Sequence, residues 1–441
     1  MKAKYTATVA SNVMPRNDKL TFEARTYAKV ARRLIPFLML CYLGAYLDRV
    51  NVGFAKLQML NDLRFSETVY GMGAGIFFLG YFLFEVPSNV ILHRVGARRW
   101  LARIMLTWAV ISASFVFVRS PTAFYVLRFL LGVAEAGFAP GVILYLTYWF
   151  PAERRAKALS LFFMAIPLAG IIGGPLSGAI MHSLHGVWAM SGWKWLFLLE
   201  AVPSLVLGIA ILLYLDDGIA KAKWLSDAEK TLLARNVAND AQQTVSHVSI
   251  RDFIRDRRLW LMAAIYFCVV LGQYGLTFWL PTIIHRAGVA DPLWVGVFTA
   301  IPYLCAIVAL PLIGMSADRR RERRFHLAIP MLVAAAGFAT LPLLGSVGAS
   351  IVCLSVASAG ILASSSQFWS LPTALLGGMS AAAGIAAVNC FANLAGFFSP
   401  AIVGWLNDLT GKSTAGLIFI SVSVTLGAML VFLVPARSVN R

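Results

Sequence analysis

The chain has 441 residues, 59% of them hydrophobic and only 13% charged, with a formal net charge of +18. Soluble domains carry about 25% charged residues, so the composition excludes a water-soluble globular protein and points to one embedded in a bilayer. A basic excess of this size otherwise suggests nucleic acid, but the placement of the charges gives it another meaning.

From the N-terminus, residues 1–33 are polar and basic. They hold no short apolar core followed by a cleavage site, which argues against a signal peptide and predicts a cytoplasmic tail. Beyond them, runs of about 20 apolar residues fit helices that cross hydrocarbon. Twelve spans are predicted: 34–56, 70–92, 100–118, 122–148, 157–182 and 194–215, then 259–284, 293–315, 326–345, 348–371, 376–404 and 414–435. A polar segment, 216–258, divides them into two bundles, 34–215 and 259–435, and residues 436–441 form a second short tail. Within that segment Ser226 and Glu229 have the spacing of a capping box, which predicts an amphipathic helix over 226–236. The fold class is an all-α membrane protein with twelve helices in two six-helix bundles. Cys41, Cys268, Cys305, Cys353 and Cys390 lie inside apolar runs with no CxxC pair. They read as small buried hydrophobes rather than a metal site or a disulfide framework.

Of the 38 Lys and Arg, 30 lie in the tails and the loops that share their side, six in the opposite loops, and two inside spans. Basic loops stay in the cytoplasm. This places both termini and the central segment there, and it accounts for the basicity without nucleic acid.

The two internal cations are Arg49 and Arg128. In AYLDRVNVGFA, 45–55, Asp48 stands beside Arg49; Glu135 lies in span four with Arg128, and Glu85 in span two. An ionisable side chain at the bilayer centre costs about 2.5–3.5 kcal/mol or more, so it faces a cavity or a partner. Arg128 and Glu135 are seven residues apart and share a helix face. Their axial separation of about 10.5 Å is too long for a direct pair and leaves space between them. Asp48 and Arg49 point about 100° apart. Arg49 is expected towards the cavity, and Asp48 towards another helix or reaching Arg128. One reading is that the four charges simply tie spans one and four together. The other gives them chemistry. A carboxyl caught between desolvation and an arginine can exchange its proton, and a guanidinium offers a planar fork to a substrate carboxylate.

Neutral polar residues frame this cluster. Tyr46 and Tyr81 read either as donors to substrate oxygens or as core tyrosines. Gln273 on span seven, and Asn389 and Asn393 on span eleven, read either as substrate donors or as interhelical hydrogen bonds. SSSQFWS, 364–370, fits cavity lining, and GIIGGPLSG, 170–178, fits close helix packing. Glu200 and Lys194 read as a surface pair near the end of span six.

Two loops correspond between the halves: LHRVGARR, 92–99, after the second span and GMSADRRRERR, 314–324, after the eighth. This suggests a parallel repeat with a site between halves. On these motifs the chain resembles the major facilitator superfamily of secondary transporters. Gly314, Asp318 and Arg319 fit its loop motif, as do Arg94, Gly96 and Arg98, although His93 stands where the motif has Asp and Asn89 where it has Gly. YLDRVNVGFA, GAGIFFLGYFLFEVPSN, RFLLGVAEAGFAPGVILYLTYWFP and ANLAGFFSPAIVGW are similar to the anion:cation symporter family, which includes bacterial carriers for tartrate, galactonate, phthalate and hydroxyphenylacetate. The resemblance implies that Asp48 and Glu135 are proton-coupling acids, Arg49 the substrate-binding arginine of helix one and Arg128 the essential arginine of helix four.

The expected function is proton-coupled uptake of a small organic carboxylate by alternating access. The substrate would be a sugar acid or hydroxydicarboxylate such as tartrate or galactonate, or an aromatic acid such as phthalate. An antiporter or exporter of the same fold is the alternative. HExxH, a nucleophile elbow and phosphate-binding glycine loops are all missing from the sequence, so neither an enzyme nor an ATP-driven pump is expected, and no cofactor. The expected partners are the anion, protons and lipid, with no nucleic acid, for a monomer in the inner membrane.

Overall fold

A computed structural model describes residues 16–242, 256–375 and 379–439. Among them are twelve helices long and apolar enough to cross a membrane, and no strand. Ten spans begin and end within about five residues of expectation. The first is longer: it runs unbroken from Arg16 to Leu63, about 70 Å at 1.5 Å per residue. Residues 16–33, expected as a tail, are its opening turns. Residues 1–15, the stretch 243–255 of the central segment, the start of span eleven at 376–378 and residues 440–441 lie outside the described residues.

Four spans are broken. The fourth splits into Pro121–Glu135 and Phe138–Thr147, the fifth into Ala152–Phe163 and Ala165–Ser183, the tenth into Val347–Phe368 and Ser370–Leu375, and the eleventh into Met379–Asn393 and Ala395–Thr410. Proline explains the first two. A proline has no N–H for the carbonyl four residues back, and its ring collides with that carbonyl. Pro140 denies a bond to Ala136 and Pro167 denies one to Phe163, and the helices part at those residues. At the first break Gly137 takes φ +86°, a left-handed conformation that favours glycine, and a Cβ there would meet the Ser88 hydroxyl. The chain therefore unwinds immediately after Glu135, within buried protein, where irregular backbone is tolerated at membrane depth.

The central segment forms the expected helix, Asp227–Gln242. Its capping box is reciprocal: Ser226 N donates to Glu229 Oε2 at 2.8 Å and Glu229 N to Ser226 Oγ at 3.3 Å. Glu229 also accepts from Lys29 Nζ at 2.9 Å, docking this helix on the first. Burial would raise the Glu229 carboxyl, but the Lys29 and Ser226 donors outweigh it and hold the group below its ordinary range.

The two bundles meet at the end remote from the termini. There span two packs on the second half of span eleven, and the second half of span five on span eight (Pro292–Arg320). A Cβ on Gly174 would come within 2.6 Å of Gly296 O and 3.3 Å of Thr299 Cβ, and one on Gly75 within 2.6 Å of Phe397 O. GIIGGPLSG therefore serves close packing, as its composition suggests. A cavity of about 10 Å³ lies beside Gly174 and Thr299 at this seam. Ion pairs rim it: Glu67 bonds Lys56 at 2.5 Å and Arg286, on span seven, at 2.7 Å. Asp408 accepts from Thr68 N at 2.7 Å. At the other end, Ala152–Phe163 packs on spans one and four rather than on span eight. Among the described residues the two bundles are sealed together at the far end and part at the end that carries the termini.

Gly174→Val should therefore disfavour this state. Overpacking costs about 1–3 kcal/mol, a population shift of about 5- to 150-fold. Cysteine-accessibility labelling at the far end should rise, with the variant still folded; unchanged labelling would show that the seam has room to adjust.

Candidate functional site

The charged cluster lies where span one, broken span four and span seven (Arg257–Arg286) converge. Arg49 is 6% exposed and Glu135 1%. The guanidinium of Arg49 donates to Glu135 Oε1 in a buried ion pair and reaches the Tyr274 hydroxyl at 3.4 Å. Tyr274 belongs to the second bundle, so Arg49 spans the interface. Rings surround it: its guanidinium lies 5.6 Å from the centroid of Tyr46, 5.4 Å from Phe77 and 5.5 Å from Tyr81. Charge over ring faces of this kind is attractive.

Arg128 is fully buried. Its Nε donates to Gly73 O at 3.1 Å and its Nη2 to Ala74 O at 3.2 Å, both on span two. It makes no direct bond to Glu135, as the axial spacing predicted. The Phe77 ring stands 5.1 Å from Arg128 as well as beside Arg49. The two guanidiniums thus share one aromatic ring. Buried polar atoms here lack hydrogen-bond partners among the described residues: Arg49 Nε, Arg128 Nη1 and Glu85 Oε2. Buried polar groups are almost always paired, so unmatched donors on two arginines mark a place for an acceptor.

Asp48 takes the first of its two expected directions. It turns from Arg49 into its own bundle and never reaches Arg128. Trp108 Nε1 donates to its Oδ2 at 2.8 Å, Ser204 Oγ to the same atom at 2.7 Å, and Ser112 Oγ to Oδ1 at 2.8 Å. Its three donors on spans three and six are neutral, and the Glu200 carboxyl of span six lies close enough to act on it. Nothing in the local sequence announces Trp108, Ser112 or Ser204, which lie 60 to 156 residues away.

The neutral candidates divide. Tyr46 lies against Gln273 and Thr277 of span seven, and Tyr81 faces Arg49. Asn389 and Asn393 are half-buried on span eleven; among the described residues no hydrogen bond links either to the charged cluster. Ser364 turns back to Gly360 O at 2.7 Å on its own helix. The expected surface pair of Glu200 and Lys194 is not formed. Glu200 is 2% exposed and accepts from Ser177 Oγ at 2.7 Å, because its face of span six turns inward against span five.

Residues 38–400 match the profile of the Major Facilitator Superfamily. The chain belongs to the major facilitator superfamily. It is a membrane transporter and not an enzyme. It is 48% identical over 417 residues to the metabolite transport protein NicT, a provisional name, of Pseudomonas putida, covering 94% of this chain and 95% of that one. It is 47% identical over 418 residues to a protein of Agrobacterium vitis provisionally named a tartrate transporter, covering 94% and 92%. Among solved structures, a bacterial homologue of the human lysosomal transporter Spinster, inward-facing and occupied, superposes with a TM-score of 0.74 at 16% identity, over 92% of this chain and 96% of that one. That likeness concerns the fold alone.

The superfamily's loop motifs lie at the parted end. Gly96, at φ +95°, turns the chain from span two into span three (Ala97–Ala113). Asp217, just past span six, accepts from Arg98 N at 3.1 Å, and Arg98 also donates to Leu212 O. In the second copy Gly314 faces Gln367, and Asp318 pairs with Arg323 at 2.7 Å. Arg94 and Arg319 are exposed.

The Asp48 surroundings give a clean discrimination. In Asp48→Asn the amide can donate to Ser112, whose hydroxyl can turn to accept, and its oxygen can keep Trp108 and Ser204. In Asp48→Ala the indole N–H, which can only donate, is orphaned at about 1–3 kcal/mol. Thermal melting in detergent should place Asp48→Asn near the parent and Asp48→Ala well below it. Equal melting of the two would mean that water replaces the carboxylate.

Proposed function

We propose that this superfamily transporter takes up a small organic carboxylate together with protons, exchanging access between the two sides of the inner membrane, with both termini cytoplasmic and bundles at 34–215 and 259–435. One observation carries the reading: a buried Arg49–Glu135 ion pair at the bundle interface, beside unmatched donors on Arg49 and Arg128. A substrate carboxylate must compete with Glu135 for Arg49. Protonation of Glu135 removes that competitor and frees the fork; release of the anion restores the pair and expels the proton. Asp48, held by neutral donors in the same bundle, is the second proton carrier in this account. Tyr274 reports substrate occupancy to the second bundle.

The relative named for tartrate makes a hydroxydicarboxylate the first probe. The rings of Tyr46, Phe77 and Tyr81 suit a flat aromatic acid equally. The test is uptake of labelled tartrate, galactonate and phthalate into vesicles under an imposed pH gradient, with and without a protonophore. Accumulation abolished by the protonophore supports the reading. Accumulation that survives it overturns proton coupling, and uptake of none of the acids overturns the carboxylate assignment.

A further inference from the structure

The first helix carries a second basic cluster, well away from the transport site. Arg25, Lys29, Arg32 and Arg33 stand at i, i+4, i+7 and i+8, which is one face of a helix. They line an open cleft of about 500 Å³ whose other wall is Tyr214, at the end of span six (Gly192–Tyr214), and Trp224 in the turn beyond it.

The cleft is built rather than incidental. The Arg33 guanidinium lies 4.4 Å from the Tyr214 ring centroid and 4.9 Å from that of Trp224. The Tyr214 hydroxyl donates to Arg33 O at 3.3 Å. Trp224 is fixed by donating to Asp216 at 2.9 Å and by stacking on Trp149 at 5.7 Å. Arg33 Nε is buried with no hydrogen-bond partner among the described residues. Lys29 is committed to Glu229, whereas Arg25, Arg32 and Arg33 have no carboxylate partner among those residues. Three unneutralised guanidiniums converge on one cleft.

Its depth identifies the occupant. The apolar run of span one begins at Leu34, directly after Arg33, so the cleft sits at the membrane surface on the side of the termini. Tyr and Trp favour this level, and juxtamembrane basic clusters attract anionic headgroups. Guanidinium forks match phosphate oxygens. We propose that this cleft binds the phosphate of an anionic phospholipid from the leaflet on the side of the termini. The headgroup would join span one, the end of span six and, through Lys29 and Glu229, the helix of the central segment.

The test is native mass spectrometry of the full-length protein, extracted from nanodiscs of phosphatidylglycerol mixed with phosphatidylcholine. The parent should keep phosphatidylglycerol in several-fold excess over its share of the mixture. Arg25→Gln combined with Arg32→Gln, both exposed positions, should lose that excess. Arg319→Gln combined with Arg320→Gln, equal in charge and on the same side, should keep it. Loss in both double variants, or in neither, would overturn the site and leave only general attraction of a basic surface. Inorganic phosphate should fail to displace the lipid; displacement would reassign the cleft to a soluble anion. As a second readout, the melting temperature of the parent should rise in phosphatidylglycerol relative to pure phosphatidylcholine, and that rise should vanish in Arg25→Gln with Arg32→Gln.

Discussion

Replacing Arg49 with lysine is expected to abolish carboxylate binding while leaving the protein folded. Lysine keeps the positive charge and so keeps a partner for Glu135. It loses the planar fork, which is what lets Arg49 hold Glu135, reach Tyr274 at 3.4 Å and still present a free Nε. A compact ammonium makes its bonds as a point charge and stacks less well on Tyr46, Phe77 and Tyr81. Breaking one side of a buried, hydrogen-bonded charge pair costs about 2–5 kcal/mol, or roughly 30- to several-thousand-fold in affinity. Arg49→Ala is the cruder version, and it carries a hazard: it strands Glu135 as an unpaired buried charge at about 3–5 kcal/mol. Arg49→Ala with Glu135→Gln removes that hazard, and this double variant should fold and still fail to bind. Binding can be read by titrating the purified protein with tartrate, galactonate and phthalate. Parent-like affinity in Arg49→Lys and in the double variant would make Arg49 a structural tie between bundles.

The features that could be read before the structure were those set by local rules. Twelve spans follow from run length, and the capping box at Ser226 and Glu229 from spacing alone. The shared face of Arg128 and Glu135 follows from helical period. What escaped depends on distant chain. The break after Glu135 had a local signal in Pro140, but a long apolar run masks it, because hydropathy does not register a missing N–H. The choice made by Asp48 could not be read, since its three donors come from spans three and six. Glu200 was misplaced for a related reason. Lys194 is near in sequence, but the inward turn of that helix face depends on packing against Ser177. Asp217 illustrates the same limit: the carboxylate that accepts from Arg98 N at the start of span three arrives from the end of another span.

Glu135→Gln should separate accumulation from exchange. Glutamine fills the same volume and can still accept from Arg49, so the fold and the site should persist. It cannot carry charge, so it never competes with a substrate carboxylate for the guanidinium. In the parent, raising the pH should weaken anion binding, because an ionised Glu135 holds Arg49; in Glu135→Gln that pH dependence should flatten. In proteoliposomes the variant should keep counterflow, in which labelled anion exchanges for unlabelled anion without net proton movement. With a pH gradient and no internal substrate, its accumulation ratio should fall to unity. Glu135 and Arg49 neutralise each other in a buried pair, and glutamine leaves that guanidinium without the carboxylate that pairs with it. If counterflow and gradient-driven accumulation are lost together in a variant that melts like the parent, Glu135 holds the helices in place and the coupling proton must reside elsewhere, with Asp48 the next carboxyl to test.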